Sequence, residues 1–77
     1  MLQSIYMMTA SADVHDEVVY FFKRYQDMYG VKLHCIDDSL DKESKFYFAG
    51  EKTACVCLSS VLKLQFMNVL VDCMEDI

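Results

Sequence analysis

At Gly30 the hydrophobic rhythm of the chain changes from that of a helix to that of a strand, and any fold has to be built around this junction. Before it, Val14, Val18, Phe21, Tyr25 and Met28 recur at steps of four and three, which stacks them on one face of a helix. After it, VKLHCID alternates, with Val31, Leu33 and Cys35 on one face and Lys32, His34 and Ile36 on the other. Glycine accepts the left-handed conformation that closes a helix. Ser11 or Asp13 is placed to cap the helix start, where Asp13, Asp16 and Glu17 also suit the positive end of the dipole. Upstream, LQSIYMM over 2–8 reads as a strand, so the chain opens as strand, helix, strand.

Downstream, DSLDKES is a polar loop. KFYFAGEKTACVCLSS reads as a hairpin with strands over 45–49 and 53–58, turning over Gly50, Glu51 and Lys52. Ser59 or Ser60 then caps a closing helix, VLKLQFMNVLVDCMEDI. The expected fold is one α+β domain over 1–77, two-layered, with two helices and a four-stranded, mostly antiparallel sheet in the order β-α-β-β-β-α.

On that closing helix Gln65, Asn68, Asp72, Glu75 and Asp76 form one narrow polar strip. Leu62, Phe66, Leu70, Cys73 and Ile77 make one apolar face, and Leu64, Met67, Val71 and Met74 make another. A surface helix needs an apolar stripe only a little over about 100° wide. The second face therefore needs a cover: the first helix, a different protein, or a second copy of the chain. A homodimer through Leu64, Met67, Val71 and Met74 is expected, methionine being well suited to an adaptable contact.

Composition narrows the function. A 77-residue chain that is 55% hydrophobic is no disordered segment. Its formal net charge of −5 disfavours direct binding to nucleic acid and favours a partner protein with a basic surface. No stretch approaches the roughly 20 apolar residues of a membrane helix. MLQSIYMM lacks the basic flank and cleavage pattern of a signal peptide, so a cytoplasmic protein with reduced thiols is expected.

The acids fall in two groups: Asp13, Asp16 and Asp27 around Tyr20 on the first helix, and Asp37, Asp38 and Asp41 in the loop that follows the second strand. The loop lacks the glycine and glutamate positions of a calcium-binding EF-hand. In TACVCLSS, Cys55 and Cys57 share a face if the segment is a strand, where His34 and Tyr47 could join them. Cys55, Cys57 and His34, with Cys35 or Cys73 as a fourth ligand, are the one metal constellation the spacing allows. Two thiols on a strand sit roughly 6–7 Å apart, however, and packing explains them more simply than zinc. A cysteine nucleophile with His34 as base and Asp37 or Asp38 as orienting acid can be drawn. No phosphate-binding glycine loop or hydrolase motif accompanies it, and His15 reads as a surface residue.

These features favour a small acidic protein-binding module, an inhibitor or adaptor without cofactor or catalytic site, that occludes a basic surface through Asp13, Asp16, Tyr20, Asp27, Asp37, Asp38 and Asp41. In size, acidity and lack of a catalytic signature the chain resembles small phage-encoded inhibitor proteins, among them anti-CRISPR proteins that occlude nucleic-acid-binding surfaces. The resemblance is one of composition and implies a viral accessory role. The alternatives are a thiol or metal protein built on Cys55, Cys57 and His34, or a subunit of a larger assembly.

Overall fold

The structure is a computed structural model that describes residues 3–39 and 41–77. Its elements are β1 (Gln3–Ser11), a 3-10 turn (Ala12–Val14), α1 (His15–Tyr29), β2 (Lys32–Asp37), β3 (Glu43–Glu51), α2 (Lys52–Gln65) and β4 (Leu70–Asp76). The α+β class, the four-stranded antiparallel sheet and the two helices stand as the sequence implies. Residue 2 of the strand expected over 2–8 lies outside the described residues, as does Leu40 in the acidic loop.

The order of the last elements is corrected to β-α-β-β-α-β. Residues 53–58 are helical because the longer window carries a helical period: Cys55, Leu58, Ser59 and Leu62 are the buried positions of α2. Only over the six residues of TACVCL does that period imitate alternation. Ser59 and Ser60 lie inside the helix, where their hydroxyls donate to the carbonyls of Cys55 (2.7 Å) and Val56 (3.3 Å). The expected closing helix breaks at Phe66–Asn68, where Asn68 takes φ 60°, a left-handed turn that asparagine tolerates better than most residues. Val69 and Val71 then bring the stiff, β-branched character of a strand on either side of Leu70.

The sheet order is β2-β3-β1-β4 with every neighbouring pair antiparallel. Each helix therefore joins two parallel strands that have a third between them, the split β-α-β arrangement. Along the central ladder Tyr6 faces Phe48 and Met8 faces Phe46, all buried beneath the helices. Val18, Phe21 and Phe22 of α1 and Cys55, Leu58 and Leu62 of α2 complete the core. The core stripe of α1 is rotated from the expected one, so that Phe22 is buried while Met28 is 73% exposed.

Both edge strands carry an irregularity. In β2, His34 is the extra residue between the pairs Leu33–Phe48 and Cys35–Tyr47. The strict alternation expected there is broken, so Leu33 and Ile36 both pack on the core while Cys35 lies across from Tyr47. In β4, Met74 is the extra residue between the pairs Tyr6–Cys73 and Ile5–Glu75.

Two glycines meet where α1 hands over to β2. Gly30 ends α1 at φ 68° with its N–H donating to the Gln26 carbonyl, as its position implies. Gly50 is buried inside β3 rather than in a hairpin turn, and a Cβ there would stand 2.9 Å from the Gly30 carbonyl oxygen. Gly50→Ala should therefore destabilise the fold by about 1–3 kcal/mol through overpacking against backbone. Gly30→Ala meets open space and should cost about 1 kcal/mol of left-handed strain. Denaturant midpoints of the two variants check the ranking.

The far end of the sheet is pinned by a polar contact. The buried Ser4 hydroxyl donates to Asp76, and Lys52 at the start of α2 pairs with the same carboxylate at 2.9 Å. Together they hold the Asp76 carboxyl down at about 2, below its ordinary 3.8. Because its folded value is depressed, Asp76 stabilises the fold above pH 3.8, and that contribution is lost as pH falls toward 2. Unfolding curves recorded across this window should lose part of their acid dependence in Asp76→Asn.

Candidate interaction surfaces

Three surfaces emerge once the chain is folded. The first lies at the end where β1 runs into the 3-10 turn and β2 into its loop. Ser11 accepts from the Asp13 N–H and starts the turn, which delivers Asp13, His15 and Asp16 to the rim. The loop supplies Asp38 and Asp41, so a cleft of about 350 Å³ is lined by four aspartates together with His15 and Ser44.

His15 is not a free surface residue. Its ring lies 5.6 Å from that of Phe46, with Nδ1 3.0 Å from Asp16 and Nε2 3.2 Å from Asp38. The Nε2 atom is shielded from water and out of line for a true hydrogen bond, so its contact with Asp38 is one of charge. Ser44 donates to the other oxygen of Asp38 at 2.8 Å, which fixes that carboxylate. Asp16 foremost, and Asp38 after it, raise the His15 pKa above 6.5 against the opposing effect of desolvation. The carboxylate lies between serine and imidazole, which is not the order that activates a serine nucleophile.

The second surface adjoins the first. A cleft of about 500 Å³ is lined by Asp16, Glu17, Tyr20, Phe21, Arg24, Tyr25, Gln65 and Phe66, so Asp16 is a wall of both clefts. Leu64 and Met67, next to Gln65 and Phe66 in the chain, are 89% and 87% exposed. The expected dimer face is thereby divided. Leu64 and Met67 remain exposed at the end of α2 and in its turn, whereas Val71 and Met74 belong to β4, and Val71 packs partly against the core.

Among the expected acids, Asp27 is left out because it lies about three turns further along α1, roughly 16 Å from Asp16. Asp37 is left out because it falls on the opposite face of the sheet across from Lys45, where its carboxylate accepts from the Ser39 N–H at 2.9 Å.

The third surface is the face of the sheet without helices. Ile5, Met7, Thr9, Lys45, Tyr47 and Ala49 alternate with the core positions of β1 and β3 and are half-buried at its centre. The exposed Leu70 pairs with Thr9 at its margin. Tyr47 was expected beside the thiols, but sequence reasoning missed this surface because it depends on strand order.

The thiol constellation does not assemble. Cys55 is buried on the sheet side of α2, where burial pushes its thiol pKa up, Cys57 is exposed on the same helix, and His34 is exposed on the edge strand β2. Two residues apart on a helix is about 200° of rotation, so Cys55 and Cys57 point to different sides. Asp37 and Asp38 lie on different faces of the sheet, which also separates the acids drawn for His34. Among the described residues no group of three or more histidine, cysteine, aspartate or glutamate side chains is placed to hold a metal ion, and no helix is long and apolar enough to cross a membrane.

His15 provides a direct readout of the acidic cleft. Its elevated pKa means that its contacts contribute fully below pH 6.5 and are lost as pH rises through the folded value. An NMR titration should place the His15 midpoint above 6.5, with Asp16→Asn lowering it most and Asp38→Asn lowering it less. Compared with protein-family models, curated proteins and solved structures, the chain matches none.

Proposed function

We propose that the chain is a small acidic protein-binding module that covers a basic segment of a partner protein with the end of the fold holding the two joined clefts. The observation that carries this reading is the shared wall at Asp16: a four-aspartate cleft opens onto an aromatic one, with Leu64 and Met67 exposed beside it. Lysine and arginine combine a cationic head with an apolar stem. Carboxylates at Asp13, Asp16, Asp38 and Asp41 suit the heads, and the exposed Tyr20 and half-buried Tyr25 suit the stems, with cation–π attraction at the tyrosines. The overall negative charge speeds encounter with a basic surface more than it tightens the final complex. Occlusion of such a surface is the inhibitor or adaptor role favoured by the composition.

An arginine-rich peptide titrated into isotope-labelled protein at low salt is the test. Its NMR shifts should concentrate at Asp13, His15, Asp16, Tyr20, Asp38 and Asp41. The double reversal Asp13→Lys with Asp16→Lys, both at exposed positions, should lower affinity at least tenfold with the fold intact. Unchanged affinity, or shifts gathered at Asp72 and Glu75 on β4, would remove this end of the molecule from the reading.

A further inference from the structure

The helix-free face of the sheet has an arrangement of its own, independent of the acidic end. Its residues form three rows across the strands in the order β2-β3-β1-β4. The first row is Lys32, Ala49, Ile5, Glu75 and the second is Cys35, Tyr47, Met7, Asp72. The third is Asp37, Lys45, Thr9, Leu70. The central strands are apolar in the first two rows and polar at Lys45 and Thr9 in the third, while Lys32 and Asp37 stand on the β2 edge and Asp72 and Glu75 on the β4 edge. Among the described residues neither Lys32 nor Glu75 belongs to an ion pair.

We propose that this face is an interface with a second copy of the chain, the two sheets packing face to face about a two-fold axis that runs along the strands between β1 and β3. That operation exchanges β2 with β4 and β3 with β1. It lays Lys32 of each copy on Glu75 of the other, Tyr47 on Met7 and Ala49 on Ile5, so the apolar centre closes on itself and one pair of opposite charges meets at the rim on each side, while Asp72 falls on Cys35 and the third row sets Lys45 on Thr9 and Asp37 on Leu70. An axis across the strands would pair Lys32 with Asp37 but would set Asp72 against its own copy and place Lys45 on Ala49 within the central strands. With strands about 4.8 Å apart and residues about 3.3 Å apart, the four-stranded face is roughly 19 Å by 25 Å. Two copies then share on the order of 1,000 Å², which suits a reversible dimer. The sheet twist sets the two copies at about 30° to each other, so the central pairs meet most closely.

Sedimentation equilibrium of the full chain under reducing conditions tests the pairing. The wild type should show a monomer–dimer equilibrium with a micromolar dissociation constant. Lys32→Glu and Glu75→Lys, both exposed, should each weaken dimerisation at least tenfold, and the double exchange should restore it to within about threefold of wild type. Met7→Glu at the centre should abolish it, with circular dichroism confirming that the fold is kept. A wild type that stays monomeric to millimolar concentration, a dimer insensitive to the single charge changes, or a double exchange that fails to restore pairing would each overturn the proposal. Because none of these residues lines the acidic or aromatic cleft, either outcome leaves the peptide-binding reading to be judged separately.

Discussion

The nine-residue antiparallel ladder between β1 and β3 assigns a side to nearly everything else in the molecule. A strand alternates its side chains with a period of two, so a slip of β1 by one residue would turn Tyr6 and Met8 out of the core and bring Ile5 and Met7 into it, and a slip of β3 would do the same to Phe46 and Phe48 in favour of Tyr47. The buried aromatics resist that slip. Phe48 lies against Tyr6 at 5.8 Å and against Phe22 of α1 at 5.2 Å, so one ring joins both central strands to the helix layer. Gly50, two residues further along β3, lets the end of α1 sit directly on the sheet.

The part of this design that is local in sequence was legible there. α1, its stop at Gly30 and the start of β2 follow from short-range period and backbone preference, whereas Ser11 caps the 3-10 turn and α1 itself begins after Val14 without a side-chain cap. The second half was misread for an equally physical reason. Alanine, valine and cysteine fit strand and helix alike, and six residues of TACVCL do not separate a period of two from one of 3.6. No proline marks the break between α2 and β4, and asparagine takes the left-handed position that glycine would have advertised. An apolar surplus wider than one helix face was the available sign, and Val69 and Val71, two residues apart as in a strand, are the positions that pack on the core.

The surfaces follow the same division. Asp13 and Asp16 could be placed together by helical spacing, and Asp38 and Asp41 could be named as a loop cluster, but joining the groups requires β2 to finish beside the start of α1. The helix-free face needed more still, because its rows draw on residues from all four strands. His15 illustrates the limit well: a histidine at a helix start reads as solvated until Phe46, Asp38 and Ser44 arrive from distant parts of the chain.

The extra residues His34 and Met74 sit on β2 and β4, the two strands at the borders of the sheet among the described residues. A sheet edge with free N–H and carbonyl groups is a template on which further strands can add without limit. A bulge twists that edge and interrupts its hydrogen-bonding row, so another strand cannot lie along it in continuous register. With an irregularity at both borders, the protein is guarded against fibre growth by strand addition. Each border of the sheet is thus a poor template for a further strand.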